Sequence, residues 1–253
     1  MKHVNQLLKL VVFFLSMVAS ASACESKIIE NSIQIGFIGC ISRESADILI
    51  EAIRRSPRDL VVQSEGGDVE AALRVANELH QKNLSIIIRG YCHSSCANYL
   101  IPAAKIVTIE GDSTIVYHGD ARTSLTAFMD ISGNYVDPML LSKLRELTEA
   151  EKRLEEIIPK VALIHFLQSI SIGQPNQKFS IKFDGYLYTC KGLGQLLWSP
   201  SMQVMRKLKI VDRVVPVNEV MIPEIRFRQF NVAVSMPIHG NSPMELCEKL
   251  STE

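Results

Sequence analysis

Short β-branched runs recur through the first half of the chain, each separated from the next by a segment with helical spacing. "DLVVQ", "LSIIIR" and "KIVTIE" are centred on unbroken runs of apolar or β-branched residues rather than on an alternating pattern. Such runs fit strands covered on both faces, which is the condition of a parallel sheet flanked by helices. "KIIENSIQIGFIG" before them reads as a strand, and "STIVYH" after them as a further one. The intervening "SRESADILIEAIRRS" carries apolar residues at helical spacing behind a cappable Ser42. "GGDVEAALRVANELHQK" turns through two glycines into a helix with Val69, Leu73, Ala76 and Leu79 on one face. "SSCANYLIPAA" reads as a further helix. Alternating strands and helices predict an α/β fold with a largely parallel sheet. A chain of 253 residues, 47% of them hydrophobic, is long enough for one sizeable core.

Further along, "DPMLLSKLRELTEAEKRLEEIIPKVALIHFLQSI" forms one long helical pattern, with Pro138 near its start and Pro159 as an expected kink. Its charged middle, "RELTEAEKRLEE", reads as a solvated face. "QKFSIKFDGYLYTC" predicts a hairpin around Asp184-Gly185, and "SPSMQVMRKLKIVDRVV" a helix followed by a strand. From about residue 222, Pro223, Pro237 and Pro243 predict an irregular, disulfide-tied tail. There is no internal repeat or low-complexity linker, so residues 24–253 read as a single domain.

Residues 1–23 read as a signal peptide. Lys2 and Lys9 flank the start of "LLKLVVFFLSMVASA", and "ASA" at Ala21–Ala23 fits a cleavage site before Cys24. The apolar stretch is too short to span a bilayer and Lys9 interrupts it. The expected location is therefore exported, periplasmic or secreted; a lipid anchor at Cys24 is the second reading. Export makes the six cysteines candidates for bridging. The pairing of Cys24, Cys40, Cys190 and Cys247 is open at this level. The formal net charge is zero and clustered basic runs are absent, so no nucleic-acid surface is indicated.

In a parallel βα array the carboxyl ends of the strands point the same way, and ligands bind beyond them. Three successive ends carry "SEGGD" (Ser64 to Asp68), "CHSSC" (Cys92 to Cys96) and "VYHG" with His118. Together these are the parts of an acyl-transfer site. Ser94 would stand where a helix begins, and a serine hydroxyl needs a base. His118 could take its proton. The N–H of Ser95 and a backbone N–H at Gly67 could bind the oxyanion, where losing one donor costs about 3–4 kcal/mol. Each residue also has an ordinary role as cap, turn or strand-end histidine; their joint occurrence favours the catalytic set. Cys92 and Cys96 bracket the serine. With His93 they are weak zinc ligands, and Cys-x-x-x-Cys is not a thioredoxin-like spacing. The favoured reading is a structural disulfide, formed across a turn ahead of the helix, with no metal and no cofactor.

"VVQSEGGDVEAALRVANEL", "GYCHSSCANYL" and "IVYHG" together resemble the Clp-protease/crotonase superfamily, nearest its serine peptidase branch. The family pattern runs strand, Ser-x-Gly-Gly, helix; then Gly-x-x-x-Ser, matched by Gly90 and Ser94; then a histidine about two dozen residues on. "KLKIVDRVV" resembles the family's closing Gly-Leu-Ile-Asp segment, with Lys209 in place of glycine. The resemblance covers roughly residues 28–215. It implies a spiral of ββα units and a serine hydrolase acting on peptides or proteins, with homo-oligomerisation open and no ATPase partner in an exported setting. Cys-x-Ser-x-Cys replaces the small residues that surround the family's serine. The family's third triad member is an Asp after the long helix, and here only Asp184 lies between Ile172 and Pro200. A backbone carbonyl could orient the histidine instead. Two other classes stay open: a non-catalytic binding or scaffold protein that kept the fold, and thioester chemistry of the crotonase type, for which no acyl-CoA signature is visible.

Overall fold

A computed structural model describes residues 25–122, 125, 137–172, 178–183, 186–191, 197–199, 202–215 and 247–249. Residues 1–24, Asp184 and most of the tail lie outside them. The chain is α/β, with a mostly parallel mixed sheet. The strands β1 (Ser26–Glu30), β2 (Gln34–Ile41), β3 (Asp59–Gly67), β4 (Ile86–His93) and β5 (Val107–His118) lie side by side in that order. The steps from β2 to β5 are parallel. β1 pairs antiparallel with β2. The stretch read as one strand is therefore a hairpin, broken where Asn31 Oδ1 accepts from the N–H of Ile33 and of Gln34. This local bond offers the backbone an alternative to the ladder.

The crossovers are α1 (Arg43–Arg55) and α2 (Val69–Gln81). Ser42 and Ser45 cap α1 reciprocally, and Asp68 accepts from the N–H of Ala71 at the start of α2. After β4 comes a wide, π-type turn over Cys96–Leu100, then a single α-turn, α3 (Ile101–Ala103). A π-type turn inside a helical stretch commonly marks a functional position. "KIVTIE" and "STIVYH" form one strand, not two. β5 runs through both, with its register against β4 shifting between Arg89 and Tyr91. Its edge opposite β4 is taken by β9 (Arg213–Val215) at the start and β8 (Leu197–Trp198) at the end. A second sheet holds β6 (Lys178–Phe183), β7 (Tyr186–Lys191) and β10 (Cys247–Lys249). β6 and β7 pair antiparallel as expected, and β10 adds a strand to a tail read as irregular.

The long helical pattern is two helices, α4 (Pro138–Ile157) and α5 (Pro159–Ile172). The expected kink is a full break. Ile158 leaves helical geometry at φ −128°, ψ 89°, because the residue before a proline is pushed out of the α region. The charged middle of α4 is also not wholly solvated. Glu151 is fully buried and shares a stripe with Leu144, Thr148 and Leu154. Among the described residues the last helix is α6 (Met202–Lys207). Among the described residues, no helix is long and apolar enough to cross a membrane.

Inside the sheet, Arg89 of β4 and Glu110 of β5 are register partners joined by two bonds, Nε–Oε2 at 2.5 Å and Nη2–Oε1 at 2.9 Å. Both side chains are almost wholly buried. Removing one partner strands a buried charge, which costs more than the intact pair contributes. Arg89→Ala should therefore lower stability by about 3–5 kcal/mol in urea denaturation. A joint Arg89→Met, Glu110→Leu replacement should recover most of that loss; the idea fails if the double variant is no more stable than Arg89→Ala.

Candidate active site

The parallel register brings the ends of β3, β4 and β5 together. At the end of β4, Ser94 holds φ +58°, a left-handed conformation unusual for a side-chain-bearing residue. Such backbone costs on the order of 1–3 kcal/mol and persists only where its surroundings fix it. Here Ser94 N–H donates to Val116 O at 2.9 Å, and Ser94 O accepts from Asn98 N–H at 2.9 Å. Cys92, in β4, and Cys96, the first residue of the wide turn, are disulfide-bonded with Cα atoms 5.4 Å apart. The bridge thus closes over Ser94 from both sides, with Cys92 ahead of the first helical turn as expected.

Ser94 Oγ lies 2.5 Å from His118 Nε2. His118 Nδ1 lies 2.6 Å from Gly119 O. A carbonyl oxygen only accepts, so Nδ1 carries the ring proton and Nε2 presents its lone pair to the serine hydroxyl. Burial lowers the His118 pKa from its ordinary value, while the Gly119 bond and the charge of Asp120 oppose that shift. The neutral, accepting imidazole is thereby favoured around pH 7.

The β3 loop packs directly on the serine turn. Gly66 holds φ +90°, and a Cβ there would come within 2.6 Å of Ser94 Cβ and 2.8 Å of Ser95 N. Gly67 holds φ +148°, and a Cβ there would meet Ile41 O at 2.2 Å. No side chain fits at either position. Gly67 N–H donates to Ser95 Oγ at 2.8 Å, and Ser95 Oγ donates back to Gly67 O at 3.2 Å. The Gly67 donor, expected to face an oxyanion, is thus engaged by the Ser95 hydroxyl. Gly66 N–H donates to Ser64 Oγ at 3.1 Å.

His93, beside the serine, does not join the pair. Its Nε2 bonds Thr114 Oγ1 at 2.8 Å, and burial pushes its pKa down to about 4. With Cys92 and Cys96 bridged, His93 has no thiolate neighbours there. Among the described residues no group of histidine, cysteine, aspartate or glutamate side chains could hold a metal ion. Cys40 and Cys190 are disulfide-bonded too, and the backbone of Cys247 lies opposite Cys190 in the β7–β10 ladder. Asp184 lies outside the described residues.

Behind His118 is a polar layer that the sequence reading did not assign to the site. Asn98 Nδ2 donates to His118 O at 3.2 Å, and Gln168 Nε2 donates to Asn98 Oδ1 at 2.7 Å. Glu151 Oε1 accepts from Ala121 N–H at 2.9 Å and from the Tyr99 hydroxyl. A partial signal was present: His165 and Gln168 interrupt the otherwise apolar "VALIHFLQSI". Glu151 carried none, being one charge among many in its segment.

No protein-family model matches this chain, and no curated protein is significantly similar to it.

The bridge closes a short ring, so its constraint on the unfolded chain is small; even a 15-residue loop is worth only about 3 kcal/mol in the loop-length model. Its effect falls on the Ser94 turn. Reduction of Cys92–Cys96 should lower the rate of active-site serine labelling severalfold while shifting Tm by only a few degrees. A Tm collapse with unchanged labelling of the remaining folded protein would reverse that assignment.

Proposed function

We propose that this chain is an exported serine hydrolase, acting on peptide or protein substrates, with Ser94 as nucleophile and His118 as base. The observation that carries this reading is the 2.5 Å contact between Ser94 Oγ and His118 Nε2, on a serine held at positive φ. In the reaction the Ser94 hydroxyl proton passes to Nε2 as Oγ bonds the substrate carbonyl carbon. The imidazolium then gives that proton to the leaving amine, and water repeats the sequence to release the acyl group. The N–H of Ser95, at the head of the turn, is the first oxyanion donor. The Gly67 N–H joins it on releasing Ser95 Oγ. Asp184 stays the candidate for the family's acidic member, although the Gly119 carbonyl already orients the ring.

The Clp/crotonase resemblance supports this reading in two further places. Lys209, which stands where that family has glycine, adopts φ +55°, the conformation glycine takes readily. Asp212 then ties the segment to β5, its Oδ2 accepting from Val107 N–H at 2.7 Å and its N–H donating to Val107 O at 2.9 Å. The ββα spiral is proposed with the function, as is the absence of any ATPase partner. The backbone carbonyl on Nδ1, in place of a carboxylate, is the one feature that favours the alternative, a non-catalytic binding protein of the same fold.

A fluorophosphonate probe separates the two. The mature protein should label covalently, Ser94→Ala should lose labelling, and Ser95→Ala should keep it. Because burial lowers the His118 pKa and the base must be neutral, labelling should fall with decreasing pH through a midpoint below about 6.5. A folded parent that does not label at any pH supports the binding-protein reading.

Export has its own test. Mass spectrometry of the cellular protein should find a chain beginning at or next to Cys24. An intact Met1 terminus would sink the export proposal, and a diacylglyceryl mass on Cys24 would make the protein a lipoprotein.

A further inference from the structure

The register of the sheet sorts the residues at its carboxyl end onto two faces. Ser64, Cys92 and Ile115 are partners across β3, β4 and β5, and all three are buried. Successive residues of a strand point to opposite faces. Glu65, His93 and Val116 therefore form the next row, on the other face. Tyr91 and Thr114, themselves register partners, lie on that face one row back, and His118 lies on it further along β5. Exposure follows the same division. Glu65 and Thr114 are exposed, and Tyr91, His93, Val116 and His118 are half-buried. The Ser94–His118 pair thus opens onto this second face.

Glu65 stands close to the nucleophile. It is bonded to Gly66, where a Cβ would come within 2.6 Å of Ser94 Cβ. The other acids of this loop are committed elsewhere. Asp68 caps α2 through Oδ1 and stands 3.9 Å from Arg43, and Glu70 pairs with Arg43 and Lys143. Among the described residues Glu65 has no such partner and faces solvent. The surface beside it is flat and uncharged. The Tyr91 and His93 rings lie with centroids 5.2 Å apart, and Thr114 Oγ1 holds His93 at Nε2. Burial pushes the His93 pKa down to about 4, so that ring is neutral near pH 7.

A ring surface that ends at an unpaired carboxylate matches a cationic side chain. The stem or guanidinium plane rests on the rings, and the charge meets the acid. We propose that Glu65 is a specificity-determining residue of the Ser94 site, selecting substrates with an arginine or lysine side chain next to the scissile bond. The inference rests on the Ser94–His118 reading above and names the substrate class for it. The selectivity is of about fivefold, the upper end of what an exposed ion pair supplies, and it weakens with salt.

Two phosphonate ester probes test it on the full mature chain. One carries an arginine side chain next to the phosphorus and the other citrulline, its neutral counterpart of nearly the same shape. The ratio of their labelling rates is taken within each protein. In the parent the arginine probe should label about fivefold faster at low salt, and the ratio should approach one at about 1 M salt, where charges are screened beyond about 3 Å. Glu65→Gln should bring the ratio to about one at low salt, and Glu65→Lys should reverse the preference. A parent ratio near one, or a preference that Glu65→Gln leaves intact, overturns the proposal. If neither phosphonate labels, the selectivity is read as binding. Arginine and citrulline versions of one short fluorescent peptide are titrated by anisotropy against the parent and Glu65→Gln. Equal Kd values on the parent, or an arginine advantage that survives Glu65→Gln, overturn it. Failure of the small fluorophosphonate to label the folded parent marks the failure of the Ser94 reading alone.

Discussion

Ser94 cannot keep φ +58° unaided, and the structure around it consists largely of the contacts that hold it there. The bond from its N–H to Val116 O crosses from β4 to β5 beyond the last ladder pair. That bond exists because the two strands run parallel and β5 continues past the end of β4. The parallel register depends in turn on crossover helices that cover the sheet. The Gly66-Gly67 loop then closes on the turn from the β3 side, at a distance only glycine allows. Sheet register, crossover length and loop chemistry all converge on one backbone conformation, as expected when strain is maintained by its surroundings.

Much of this was legible in the sequence, for identifiable reasons. The β-branched runs marked β3, β4 and the first half of β5, since strands covered on both faces have no polar alternation to confuse with a helix. Parallel order then placed "SEGGD", "CHSSC" and "VYHG" at one edge, so the Ser94–His118 pair could be anticipated from spacing. What was not legible depended on tertiary partners. Nothing local says that β5 continues past Gly111 as one strand with a shifted register, or that Glu151 turns inward while its nearest charged neighbours face water. The pair of hydrogen bonds between the Ser95 hydroxyl and Gly67 was equally hidden, because serine at a helix start ordinarily reads as a cap.

The Ser95 bonds also set how the site can move. With Gly67 N–H and O both bonded to one hydroxyl, the β3 loop and the Ser94 turn form a single unit. Binding a tetrahedral oxyanion through the Gly67 N–H requires breaking one of those bonds. The second layer, running from Gln168 through Asn98 to the His118 carbonyl, constrains the histidine from the opposite side. The two halves of the pair also share a support, since Asn98 donates its N–H to Ser94 O and its Nδ2 to His118 O.

β5 has a neighbour on each side where it reaches the site. β4 flanks it through His93 and Val116, and β8 through Tyr117 with Trp198 and His118 with Leu197. An extended peptide often docks on an enzyme by adding itself as one more strand to an open sheet edge. On the β8 side that route is closed at His118, because Leu197 already pairs there, whereas the β4 ladder ends at Val116, two residues short of His118. A polypeptide reaching Ser94 therefore could not add itself to β5 along the β8 edge, and its main chain would have to approach from over the end of β4.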